Sequence, residues 1–181
     1  MKRRTRLWLR VAAVFVTLLA IAGGALWLRL QPDHMGRVVP LFESIDMSAL
    51  PKFADGVRSA TSVQVFQNAW EKEKDTFKSH GHYFYNRAIT PTAEDADALR
   101  GLALDESGFE EWRGVRFCGG YHPDWLIRWT SPDGEDHELH LCLSCHEAKL
   151  YGPDYQLYCD VRKTAYNAFK IILTRYSSKR P

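Results

Sequence analysis

Cysteine is scarce in this chain, with four residues among 181. Small secreted proteins that rely on disulfides in place of a hydrophobic core use cysteine much more densely, so that class is excluded. Apolar residues make up 45% of the chain and charged residues 25%, which also excludes collagen-like and disordered proteins. The composition is that of a globular protein with a core of ordinary size.

The short motifs of the common enzyme classes are absent as well. The chain contains no P-loop, no dinucleotide-binding GxGxxG, no GxSxG nucleophile elbow and no HExxH zinc motif. No nucleophile is placed beside a histidine and a carboxylate in a known arrangement. We therefore expect a binding or accessory module rather than an enzyme with hydrolytic or transferase chemistry.

The excess of basic over acidic charge lies at one end of the chain. Six of the 24 basic residues lie in residues 1–30, which contain no acid, so the remaining 18 are outnumbered by the 22 acidic residues. The net charge of +2 therefore hides an acidic body. Because nucleic-acid binding requires a basic surface, we expect no nucleic-acid partner.

The N-terminal segment predicts a membrane anchor. Residues 11–28 carry no charge, and as a helix they would be about 27 Å long, which matches the hydrocarbon core of a bilayer. Residues 1–10 form a basic cytoplasmic flank, so the positive-inside rule places the rest of the chain outside the cytoplasm. A cleaved signal peptide ending at Ala22 is the alternative. We expect a single-pass protein of the bacterial cytoplasmic (inner) membrane with a periplasmic C-terminal domain and a protein partner in or near the membrane.

Periodicity and turn signals predict an α+β fold for residues 46–181, after a polar linker at 31–45. Helices are expected at 47–59, 90–106 and 163–176, and strands at 62–67, 83–89, 125–130, 137–143, 147–151 and 156–161. The strongly charged segment 71–80 is interpreted as a solvated loop or a hairpin excursion. Because tight turns join successive strands, we expect an antiparallel sheet of about five to six strands with the helices on one face.

Residues 137–143 alternate strictly between polar and apolar side chains. This pattern predicts a half-buried strand with Leu139, Leu141 and Leu143 on one face and His140 and Cys142 on the other. The turn at residues 131–134 should pair this strand with residues 125–130, in a register where paired positions sum to about 266. Positions 142 and 145 then oppose positions 124 and 121.

The cysteines and several histidines should therefore meet at one end of this hairpin. The predicted cluster consists of Cys118, His122, Cys142, Cys145 and His146. Cys159, on a later hairpin, is expected to lie apart from it. Because a continuing strand would separate the α-carbons of Cys142 and Cys145 by about 10 Å, we expect the chain to bend between them.

Four roles are open to this cluster. A structural role, as disulfides or buried thiols with no cofactor, is the main expectation. Cys142-x-x-Cys145 also suits a zinc site, with Cys118 and a fourth ligand from Cys159, His122 or His146. Alternatively it suits a thiol–disulfide exchange site with Cys142 as the nucleophile. Finally, Cys142-x-x-Cys145-His146 matches the attachment motif of haem c. The alternatives to a structural module are thus a small metal-binding or thiol-redox protein, or a monohaem cytochrome.

Residues 117–151 combine a Cys-Gly-Gly-aromatic-His-Pro-Asp segment, a strand, and a Cys-x-x-Cys followed by a short strand ending in Tyr-Gly. This stretch resembles a set of uncharacterised exported or membrane-anchored bacterial proteins, and the weaker pattern at 60–66 is similar too. The resemblance implies a common fold and brings no assigned activity. In proteins of this kind the position of His146 need not be histidine, which disfavours haem.

Overall fold

The computed structural model describes residues 46–113 and 121–177. The predicted anchor at 11–28, its flank, the linker and Cys118 lie outside these ranges. Within the described ranges, no helix is long and apolar enough to cross a membrane.

The described residues form an α+β fold of three helices and eight strands, with two short 3₁₀ turns. The helices are α1 (Leu50–Ser59), α2 (Ala93–Leu104) and α3 (Lys163–Thr174). The strands are β1 (Ser62–Gln67), β2 (Thr76–Ser79), β3 (His82–Tyr85), β4 (Phe109–Glu111), β5 (Trp125–Thr130), β6 (Asp136–Cys142), β7 (Glu147–Tyr151) and β8 (Gln156–Val161).

Six strands form one antiparallel sheet in the order β1-β5-β6-β7-β8-β4, and β2 pairs with β3 in a separate hairpin. The predicted antiparallel sheet with α+β architecture is thereby confirmed. The register of β5 and β6 is also as predicted, because Trp125 pairs with Leu141 and Leu126 pairs with His140. Strand β4 was not predicted, since its three residues are too few to show a period.

The three helices pack together on one face of the sheet and form the main core with it. Phe53 of α1, Leu99 of α2 and Phe169 of α3 are fully buried there, together with Leu139 and Leu141 of β6. Burial of these apolar side chains is the main stabilising contribution to the fold.

The start of α2 shows how local sequence sets an element boundary. The helix begins at Ala93 and not at Thr90, because Thr92 is the N-cap and its hydroxyl accepts the N–H of Asp95 at 3.2 Å. Asp95 in turn accepts a hydrogen bond from Arg175, which lies directly after α3. This hydrogen bond therefore connects the first turn of α2 to the C-terminal end of α3.

The second face of the sheet is polar but also buried, which corrects the prediction of a half-buried strand. Every residue of β6 from His137 to Cys142 is buried. The β2–β3 hairpin covers part of this face, where Phe77 and Phe84 pack against Leu126. The hairpin interpretation of residues 71–80 is thus confirmed for Thr76–Ser79, and the solvated-loop interpretation is wrong there.

Candidate metal centre

The β6–β7 hairpin brings two cysteines together. Strand β6 ends at Cys142 and pairs there with Glu147, the first residue of β7. Residues 143–146 make the turn between them, so the chain bends as predicted. The sulfur of Cys145 consequently lies within 4.8 Å of the sulfur of Cys142.

The His-Pro-Asp segment places an imidazole beside these sulfurs. The Asp124 carboxylate accepts the N–H of Leu143 at 2.6 Å, and the Asp124 N–H donates to the carbonyl of Leu141 at 2.8 Å. These two bonds fasten the segment to the end of β6. His122, two residues earlier, then lies with its Nδ1 atom 3.7 Å from the sulfur of Cys142.

An aromatic and cationic cluster also contacts the start of this segment. The hydroxyl of Tyr121 donates to the carbonyl of His140 at 2.6 Å. The ammonium of Lys149 lies 4.8 Å from the ring centre of Tyr121 and 4.8 Å from that of Tyr158, which is cation–π geometry. His122 therefore follows a residue that is anchored on the buried polar face.

The spacing of the three groups suits a metal ion. One ligand atom each from His122, Cys142 and Cys145 lies within 4.8 Å of the others. In a tetrahedral zinc site, the usual bond lengths separate a nitrogen and a sulfur ligand by about 3.6 Å. The observed separation between His122 and Cys142 is 3.7 Å. These three residues could therefore hold a metal ion if the sulfur of Cys145 is in its reduced form.

Ser144 adds a hydroxyl to this group, and sequence reasoning did not single it out. Its oxygen lies 3.3 Å from the sulfur of Cys142, 3.4 Å from Nε2 of His122 and 3.7 Å from the sulfur of Cys145. Its position between the two cysteines of the Cys-x-x-Cys motif is the signal that could have found it. A hydroxyl so placed can donate a hydrogen bond to a ligating thiolate.

The two cysteines differ in state. Cys142 carries a free thiol, whereas Cys145 is disulfide-bonded. Burial raises the pKa of the Cys142 thiol, and the hydrogen bond from Ser144 only partly offsets this effect. Because metal ligands are thiolates, a metal must displace the proton of Cys142 and can engage Cys145 only after its reduction.

Two further cysteine and histidine predictions are resolved within the described residues. The ring of His146 lies against that of Tyr166 of α3, with ring centres 3.7 Å apart and the planes tilted by 31°, and His146 does not belong to the group of three. Cys159 is a free thiol in the core, where burial raises its pKa. The haem interpretation thus gains no support, because the histidine of its motif is engaged with a helix.

A second set of ionisable groups lies under the β2–β3 hairpin. Glu138 accepts hydrogen bonds from Arg128 at 2.6 Å, from Ser79 at 2.6 Å and from His140 at 3.0 Å. Nδ1 of His140 has no hydrogen-bond partner among the described residues. The network joins β5, β6 and the hairpin at one carboxylate.

Burial and these bonds set the charges in the network. Burial would raise the pKa of Glu138, but the hydrogen bonds and the positive charge of Arg128 outweigh it and lower that pKa to about 2. For His140 burial prevails over the attraction of Glu138 and lowers the pKa to about 4. At neutral pH the network therefore contains a carboxylate and a neutral imidazole.

Stability should fall as the pH is lowered from 6.5 to 4. The unfolded chain binds a proton at histidine near pH 6.5, whereas folded His140 resists protonation down to about pH 4. This difference corresponds to roughly 3 kcal/mol of stability lost over that range, and Glu138 adds a further loss below pH 4.5. Urea unfolding at several pH values measures it. His140→Asn should flatten the slope above pH 4, and an equal slope in that variant would contradict this assignment.

Comparison with known proteins adds no further constraint. No family model matches the chain, and no curated protein or solved structure matches it. The candidate centre therefore rests on the three residues His122, Cys142 and Cys145 and on their geometry.

Proposed function

We propose that this protein is a membrane-anchored accessory module that binds a zinc-class metal ion outside the cytoplasm. The ligands are His122, Cys142 and Cys145. One observation carries the proposal: the three ligand atoms lie within 4.8 Å of one another. Two thiolates and an imidazole are a donor set that favours zinc or copper over calcium or magnesium.

The proposed location rests on the sequence and bears on the state of the cysteines. Residues 11–28 are proposed to hold the chain in the bacterial cytoplasmic membrane, with the described domain on the periplasmic side and a protein partner nearby. Disulfides form and persist in such a compartment. The disulfide at Cys145 agrees with this placement and makes the metal-binding form the reduced one.

Zinc in a structural site has four ligands in tetrahedral geometry, so three protein ligands leave one coordination position open. Cys118, which the sequence adds to the cluster, lies outside the described residues and is proposed as the fourth ligand. His146 is not proposed as a ligand, since its ring lies against that of Tyr166.

Thiol–disulfide exchange is the second candidate, and one observation favours it: a free thiol at Cys142 lies beside a disulfide-bonded Cys145. In that reaction the Cys142 thiolate forms a bond to the sulfur of Cys145. The existing bond of Cys145 breaks, and the departing thiolate takes the proton that Cys142 released. Both functions require the thiolate of Cys142, so its raised pKa does not separate them. Metal binding is the better supported function because the imidazole of His122 converges with the two sulfurs.

Metal titration of the reduced full-length chain tests the proposal. After treatment with a dithiol and its removal without oxygen, the chain should bind one equivalent of zinc against a chromophoric chelator. Loss of a residue that only hydrogen-bonds a metal ligand weakens metal binding by roughly 10–100-fold. Cys142→Ser removes a ligand itself, so it should weaken zinc binding by more than that. The control is Cys159→Ala, which removes a free thiol outside the group and should bind as the unmodified chain does. Equal affinities in both variants would contradict the proposal.

Peptide mapping separates the two candidates. Trypsin should release residues 129–149, which contain both Cys142 and Cys145 and no internal lysine or arginine. If exchange occurs, unreduced protein that is alkylated after acid quenching will yield this peptide with an internal disulfide. If metal binding alone occurs, Cys142 will be alkylated and the internal disulfide will be missing.

A further inference from the structure

Trp70 has a backbone conformation that large side chains avoid. Its φ is 58°, in the left-handed region, where a bulky residue is strained. Its N–H donates to the side-chain oxygen of Asn68 at 2.6 Å, and the N–H of Ala69 donates to the carbonyl of Tyr83 at 2.9 Å. These two hydrogen bonds hold the backbone at Trp70 and on its N-terminal side.

Asn68 connects this strained residue to the candidate centre. Asn68 is buried, and its N–H donates to the carbonyl of Asp124 at 3.0 Å. The carboxylate of Asp124 accepts the N–H of Leu143 in the β6–β7 turn. Two hydrogen bonds therefore link the segment of Trp70 to both halves of the site, and strain of this kind is typical of functional sites.

The indole of Trp70 lies against the imidazole of His122. The ring centres are 5.2 Å apart, with the planes tilted by 43°. The side chain is nevertheless 45% exposed, and among the described residues only Ile171 is a comparably exposed large hydrophobic. Because the indole is only partly buried, its hydrophobic stabilisation is small and does not by itself explain a tryptophan at a strained position.

We propose that Trp70 is a positioning residue of the centre, an inference that rests on the proposed function. Its indole keeps the imidazole of His122 turned with Nδ1 toward the sulfur of Cys142. The terminal torsion of histidine is broad, so a half-buried ring without this wall can turn away. A ligand that must first be ordered binds metal more weakly than one already in place.

Metal binding by two variants of the full-length reduced chain tests this role. Trp70→Asn removes the indole, while asparagine accepts the left-handed backbone. We expect about tenfold weaker zinc binding, as for loss of an outer-shell partner, and a cobalt absorption spectrum that departs from that of the unmodified chain. Trp70→Phe retains an aromatic wall and should restore most of the affinity and the spectrum.

A remote variant separates positioning from general destabilisation. Val63→Ala, in β1 against the helix-side core, should lower the thermal unfolding midpoint and leave zinc affinity and the cobalt spectrum unchanged. Trp70→Asn that binds zinc as tightly as the unmodified chain would overturn the role of Trp70 alone. If the unmodified chain binds neither zinc nor cobalt, the proposed function is overturned and this role with it.

Discussion

Replacement of Glu138 by alanine should lower the free energy of unfolding by about 3–5 kcal/mol. The carboxylate is buried and pairs with Arg128, whose guanidinium lies 2.6 Å away. Its loss leaves that cation without its buried partner and leaves Ser79 and His140 without their acceptor. Urea or thermal unfolding of the variant measures the loss.

Asp136→Ala provides the matched control. Asp136 is the second carboxylate beside Arg128, at 3.3 Å, but its side chain is 41% exposed. An exposed ion pair contributes about 0–1 kcal/mol, so this variant should be close to the unmodified protein. Equal losses in the free energy of unfolding for the two variants would contradict this account. They would show that the buried position of Glu138 does not make its ion pair with Arg128 stronger than the exposed one.

Replacement of Leu141 by alanine should lower the free energy of unfolding by about 2–5 kcal/mol. Leu141 is fully buried on the helix-side face of β6, where its removal leaves a cavity among closely packed side chains. Chemical denaturation gives the value directly. Because Cys142 is the next residue, the same variant should also loosen the strand end that carries the centre.

Ile171→Ala is the comparison for this second variant. Ile171 lies on α3 and is 60% exposed, so its truncation should change stability by less than about 0.5 kcal/mol. A loss below that value for Leu141→Ala would mean that the side chain of residue 141 is not in the core.

Local sequence is enough to predict the faces and the register of the β5–β6 hairpin. The alternation at 137–143 depends only on which side chains are apolar, and it correctly places Leu141 in the core and His140 on the opposite face. The turn at 131–134 fixes the register of β5 and β6, because a short turn leaves the two strands little freedom to slip.

Long-range contacts account for what could not be predicted. Ser79 and Glu138 lie 59 positions apart, so no periodicity indicates that the β2–β3 hairpin covers the polar face. Without that contact the alternating pattern predicts only a half-buried strand, although β6 is buried on both faces. Burial of its polar residues is stable because the charges are paired, which a sequence pattern does not reveal.

The candidate centre was predicted in part for the same reasons. The register correctly brings His122 to Cys142, since positions near 124 and 142 face each other. His146 itself has a left-handed backbone conformation, with a φ of 61°, and its ring lies against Tyr166. The sequence pattern does not reveal this conformation, so the direction of the ring could not be predicted. The contact of Trp70 with His122 has no sequence signal, because it joins residues from separate segments.

Strand β6 links the stability of the fold to the proposed function. One strand carries Leu141 in the helix-side core, Glu138 and His140 in the buried network, and Cys142 at the centre. Variants of the network should therefore be checked for metal binding only under conditions where they remain folded.

X-ray absorption spectroscopy of the zinc-loaded, reduced full-length chain tests the central claim most directly. The proposed ligands predict at least two sulfur atoms at about 2.3 Å and at least one nitrogen at about 2.0–2.1 Å from the ion. Cys142→Ser should remove one sulfur from this shell. A shell of nitrogen and oxygen alone would contradict the assignment of His122, Cys142 and Cys145 as a metal centre.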